Sequence, residues 1–197
     1  MNVTPAQAAA VKEIMHESAP AEITHQLLEF CREISPATPV FVDVRPADQM
    51  IQDECFDNVA KHVAANGGSS VMGWTIWQSQ IFLHAECHCN WMSTERQLLD
   101  ITPKQHAETR TLFLADDTVV YQGFTIPSRR KGRFPSEALD ALIHNHAKRD
   151  AIRAAHSNGV PMSHPDGQRF EHCIVNGRYL ELEVLADFKR WSNSTPA

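Results

Sequence analysis

The chain is short of the features that would assign it to several broad classes. No run approaches the roughly 18 consecutive apolar residues of a membrane span. The first residues, Met1-Asn2-Val3-Thr4-Pro5-Ala6-Gln7, lack a basic stretch followed by an apolar one, so no secretory signal is expected. Five cysteines form no even, regularly spaced framework, and reduced thiols in a cytoplasmic protein are expected rather than a disulfide scaffold. Positive charge is also scarce: 18 Lys and Arg stand against 24 Asp and Glu, a net charge of −6, which argues against general affinity for nucleic acid. No internal repeat or low-complexity segment interrupts the 197 residues.

What remains is a chain with 43% hydrophobic and 21% charged residues, the balance of a globular protein. A single domain is expected over 1–197, with an N-terminal helical segment (1–36), a core (37–122) and a C-terminal extension (123–197). Residues 5–33 read as two helical pieces divided near Ser18-Ala19-Pro20, and Val40 to Val44 as a strand. A helix should open near Glu54 and stop at Asn66-Gly67-Gly68. Strands follow at 70–77, 81–91, 98–102 and 111–114, with another possible at 118–121. Beyond Gly123, Arg129 to Arg133 reads as a basic loop and Pro135 to Ala155 as a helix. Residues 157–168 read as loop, and segments at 170–175 and 179–191 close the chain, the latter helical in its second half. One helix followed by four or five strands predicts an α+β fold with a mainly antiparallel sheet.

Three residues carry the chemistry of greatest interest. Cys55 lies at a helix opening, where free N–H groups and the positive end of the helix dipole favour a thiolate. His88 lies in the alternating run Ile81 to Trp91, and Asp100 in Leu98-Leu99-Asp100-Ile101-Thr102-Pro103. A thiol nucleophile needs a base, and the base needs a group that fixes its tautomer. In a regular strand, Phe82, His84, Glu86, His88 and Asn90 share one face, which reads as the wall of a cleft. Cys87 and Cys89 fall on the opposite, packing face.

Cys55, a helix running to Gly67-Gly68, a strand, His88 with Trp91 three residues on, and then Asp100-Ile101-Thr102-Pro103 together resemble the core of the transglutaminase-like branch of the papain-like fold. The match spans about residues 53–103. It departs where the family commonly has His-Ala-Trp and Asp-Pro-Thr. The resemblance implies a helix carrying the Cys packed on a mainly antiparallel sheet, with Cys55 as nucleophile, His88 as base and Asp100 as orienting group. It also implies an oxyanion donor just upstream, for which Gln49 and Gln52 are candidates. The implied substrate is a peptide or protein amide, cleaved or transferred as an acyl group with neither metal nor cofactor.

Two alternatives compete. His84, Glu86 and His88 on one strand face form a possible metal-ligand set. A non-catalytic binding protein of the same fold is the other. Trp74 and Trp77 read by default as core packing and, alternatively, as cleft-lining side chains with His84 and Glu86 beside them. Arg129, Arg130, Lys131 and Arg133 are a candidate surface for an acidic partner.

Overall fold

The computed structural model describes residues 3–157 and 159–194. Helices α1 (Pro5–Met15) and α2 (His25–Arg32) precede strand β1 (Val40–Val44) and helix α3 (Cys55–Asn66). Strands β2 (Ser69–Gln78), β3 (Phe82–Met92), β4 (Leu98–Asp100), β5 (Arg110–Ala115) and β6 (Arg129–Gly132) follow, and helices α4 (Glu137–Ala155) and α5 (His164–Ser194) complete the α+β fold. The chain divides into two compact units, one made of residues 1–18, 78–84 and 123–197, the other of residues 19–77 and 85–122. The expected N-terminal segment is thus shared between them. Residues beyond 123 join the first helix rather than standing as an appendage.

The second unit is built on a barrel. Its strands run in the order β2-β5-β1-β4-β3, and a further pairing of β2 with β3 closes the ring of five. The pairings of β1 with β5, β2 with β5 and β3 with β4 are antiparallel, and that of β1 with β4 is parallel. The registers set Val42 opposite Thr111, Phe113 opposite both Val40 and Thr75, and Val44 beside Asp100. Strand alternation therefore directs Val42, Thr75, Thr111, Phe113 and Asp100 to one side, the barrel interior. Leu99, paired with Trp91, points the other way. There α3 covers the wall with Cys55 and Val59 packed on Cys89 and Ile101, flanked by Met72, Trp91 and Leu99.

The first unit is a helical core around the start of β3. Ile14 of α1, Ile81, Phe82, Phe134, Leu139 and Leu142 of α4, and Val184 and Leu185 of α5 bury their side chains together. Ser136 caps α4 by accepting from the Leu139 N–H, and Glu137 and Asp140 complement the dipole in the first turn.

Three elements differ from the sequence expectation. Arg129 to Gly132 is a strand rather than a loop, because it pairs along the start of β3, continued by the Arg133 N–H donating to the Ile81 carbonyl at 2.9 Å. Residues 118–121 form no strand. The Asp116 carboxylate instead accepts from the Thr118 N–H at 3.0 Å and its hydroxyl at 2.6 Å, which turns the chain. Residues 164–194 form one continuous helix, not loop followed by two pieces. Gly177 does not break it; α4 packs closely there, with Asn145 Nδ2 3.2 Å from where a Cβ would stand, so that an added methyl would require Asn145 to give by a few tenths of an ångström, and the same Nδ2 donates to the Cys173 carbonyl at 2.8 Å.

Candidate active site

Cys55 is the first residue of α3. The preceding Glu54 contributes no side-chain cap, so the leading N–H groups of the helix are left free of side-chain acceptors. One turn further along, Asn58 is buried and makes three bonds. Its Oδ1 accepts from the Ile51 N–H at 3.1 Å, and its Nδ2 donates to the Ile51 carbonyl at 2.7 Å and to Thr102 Oγ1 at 3.2 Å. The Thr102 N–H donates in turn to Asp100 Oδ1 at 3.1 Å. A continuous hydrogen-bonded path thus ties the start of the Cys55 helix to the end of β4.

Asp100 is wholly buried, and its other oxygen carries two more contacts. His88 Nε2 lies 2.9 Å from Asp100 Oδ2, and Lys104 Nζ lies 2.6 Å from the same oxygen and 3.3 Å from His88 Nε2. With the Nε2 proton donated to Asp100, the Lys104 ammonium is an electrostatic neighbour of the ring rather than a donor to it. Burial would raise the Asp100 carboxyl, but His88 and Lys104 outweigh it and hold the group down at about 2. For His88, burial and Lys104 favour the neutral ring. Asp100 and the charge of a Cys55 thiolate override them and lift the imidazole to about 9.

The structure brings His88 and Asp100 together. It leaves Cys55 close enough for its charge to act on His88, Cys87 and Cys89, yet without a hydrogen bond to either ring nitrogen of His88. His88 and Asp100 share the inner face of the barrel, while the Cys55 thiol packs with Cys89 on the outer face. His88 Nδ1 has no hydrogen-bond partner among the described residues.

The other sequence candidates are dispersed. Gln49 and Gln52 are exposed, Gln49 with a left-handed backbone (φ 65°), and Gln52 Nε2 donates to Asp53 Oδ2 at 3.3 Å. Trp74 is 2% exposed and donates to Asp116 Oδ2 at 2.8 Å, which makes it a core residue rather than a cleft wall. Trp77 donates to the exposed Glu86 at 2.9 Å. His84 is buried, its Nδ1 2.9 Å from Glu17 Oε2. The three prospective metal ligands thus have separate partners, and no group of three or more His, Cys, Asp or Glu suited to a metal ion occurs among the described residues. Of the basic stretch, Arg130 turns inward onto Asp150 at 2.6 Å, and Arg133 donates to the Ser79 carbonyl at 2.6 Å. The polar face expected for β3 is buried at His84, His88 and Asn90 and open only at Glu86. Of the two cysteines on its other face, Cys89 is buried and Cys87 half-buried.

Sequence reasoning missed Lys104 and Asn58 as parts of this cluster. The one available signal was the Asp100-x-Thr102-x-Lys104 spacing, in which a carboxylate can accept from the N–H two residues on and meet an ammonium four residues on. Comparison with known proteins adds nothing to the geometry: no family model, curated protein or solved structure matches the chain. No helix among the described residues is long and apolar enough to cross a membrane.

Proposed function

We propose that this chain performs thiol-dependent acyl transfer or amide hydrolysis, as a papain-like or transglutaminase-like protein acting on a peptide or protein amide in the cytoplasm. The observation that carries the reading is the buried His88–Asp100 pair. Its Nε2 bond to Asp100 commits one ring nitrogen and leaves Nδ1 available, with Cys55 at an uncapped helix start within its electrostatic reach. In this scheme the Cys55 thiolate attacks the amide carbon, and imidazolium Nδ1–H protonates the departing amine as the C–N bond breaks. Neutral Nδ1 then takes a proton from water, or from an acceptor amine, as its oxygen or nitrogen bonds the acyl carbon and the thiolate leaves. Asp100 holds the ring orientation throughout. The reading requires Cys55 Sγ to reach His88 Nδ1 in the substrate complex, a contact absent here, where the thiol packs on the outer face of the barrel wall and the ring lies on the inner one.

A second reading has its own support. The absent Cys55–His88 bond and the Lys104–Asp100–His88 cluster are also what a non-catalytic member of such a fold would keep as a buried structural ion pair.

Competitive alkylation with limiting iodoacetamide between pH 5 and 8, resolved by mass spectrometry, separates them. Cys87 is the more exposed thiol, yet burial and then the charges of Cys55, Glu86 and Asp116 push it up to about 12. An activated Cys55 therefore labels faster than Cys87 in spite of its burial, and slows in His88→Ala. Labelling in order of exposure alone, indifferent to His88, supports the non-catalytic reading instead.

A further inference from the structure

We propose that Lys104 is a positioning residue of this site, sharing Asp100 with His88 so that the carboxylate orients the ring without locking it as a permanent imidazolium. The inference rests on the acyl-transfer reading above. Its geometry is specific: Asp100 is fully buried, Oδ1 is taken by the Thr102 N–H, and Oδ2 is shared between His88 Nε2 at 2.9 Å and Lys104 Nζ at 2.6 Å. The Lys104 side chain is itself only 10% exposed, so its charge is poorly screened.

Consider the site without that ammonium. Asp100 would then have one cationic partner, His88, and deprotonating the ring would strand a buried carboxylate with no counter-charge, a costly state. His88 would hold its proton. Acyl transfer needs both forms of the ring in sequence: the imidazolium gives its proton to the departing amine, and the neutral ring then accepts one from water. Lys104 keeps Asp100 paired in either case. The charged groups acting on His88 are Asp100 at the end of β4, Lys104 four residues later and the Cys55 thiolate of α3, and only Lys104 opposes the imidazolium.

The test compares Lys104→Met with Lys104→Arg in the full chain. The His88 titration is followed by NMR on ring-labelled histidine, and acyl turnover by p-nitrophenol release from p-nitrophenyl acetate. In the Met variant the His88 midpoint rises from about 9, by about one pH unit or more, the scale of one close charge. At pH 8 that lowers the neutral fraction about tenfold, so the initial burst persists while steady-state turnover falls about tenfold. The Arg variant restores both towards the parent values. An unchanged or lowered His88 midpoint, or equal loss of burst and steady state, overturns the proposal. Should the His88 midpoint rise in a protein that never shows a burst, the acyl-transfer reading fails while the Lys104–His88 coupling stands. If the Met variant does not fold, the unmodified protein still decides: the Lys104 ammonium resonance must shift as His88 titrates, and a ¹⁵N signal flat through that range overturns the coupling.

Discussion

Asp100→Asn is the substitution on which the site can be measured most directly. The carboxylate has no exposed surface and receives three contacts, from the Thr102 N–H, His88 and Lys104. Its fall from 3.8 to about 2 corresponds to roughly 2–3 kcal/mol of folding stability. Breaking a buried ion pair by removing one partner costs about 3–5 kcal/mol. Asparagine softens that figure, because its carbonyl oxygen can still accept one bond and His88 can become neutral. We expect a loss of about 2–3 kcal/mol at pH 7, well inside the 5–15 kcal/mol of a typical domain, so the variant folds. The pH dependence is the sharper readout. Asp100 has a folded value below its unfolded one, so its contribution is present above 3.8 and disappears as pH falls through about 2. His88 has a folded value above its unfolded one, so its contribution is full below 6.5 and is lost as pH rises through about 9. Urea denaturation of both proteins from pH 2 to 10 should therefore show the parent losing stability at both ends and the variant losing less at each, the acid limb that remains in the variant coming from groups such as His146. A loss under about 0.5 kcal/mol at pH 7, within the range of ordinary surface substitutions, or parallel pH curves for the two proteins, would refute the buried cluster as described.

Two further outcomes test the rest of the fold. His146, buried in α4 edge-on to Phe82 at 6.3 Å, is pushed down to about 4 by burial and by Arg130 and Arg149. Its stabilising effect is thus present above 6.5 and lost as pH falls through about 4, and His146→Gln should flatten that limb by roughly 3 kcal/mol in the same denaturation series. Gly68 has φ +83°, and a Cβ there would stand 2.2 Å from the Met92 carbonyl and 2.6 Å from Trp91 Nε1, so Gly68→Ala should lower the melting temperature by several degrees, for a cost of about 1–3 kcal/mol.

Much of the secondary structure was legible because local signals and tertiary demands agreed. The Gly67-Gly68 pair ends α3, since both glycines take left-handed backbone, and the pattern of residues 81–91 gave β3 to within a residue. The expectation failed where a distant partner overrode local chemistry. Arg129 to Gly132 has loop composition, yet β3 offers it a strand edge to pair with. Gly177 has the character of a helix breaker, yet it lies where α4 packs closely, with Asn145 Nδ2 3.2 Å from the position of a Cβ. Neither partner is near in sequence, so no window of residues could have revealed it.

The site was half legible for a related reason. Alternation along β3 correctly grouped the even-numbered residues, but a single strand cannot say which face becomes the interior of a closed barrel. The expected cleft wall turned out to be largely buried, which changes the meaning of its polar residues. A polar group facing a cleft is solvated without cost, whereas a buried one must be paired. His88 meets that demand through Asp100, and His84 at Nδ1 through Glu17, while His84 Nε2 has no partner among the described residues. Asn90, fully buried, has no partner among the described residues for either side-chain atom. The same closure explains Lys104. A carboxylate at the end of a short strand in an open sheet would be hydrated and need no cation. Sealed inside a barrel beside a histidine, it gains a second positive partner from the chain segment that follows. The ammonium is therefore a consequence of burial, and its 2.6 Å approach to Asp100 is what makes the protonation state of His88 adjustable.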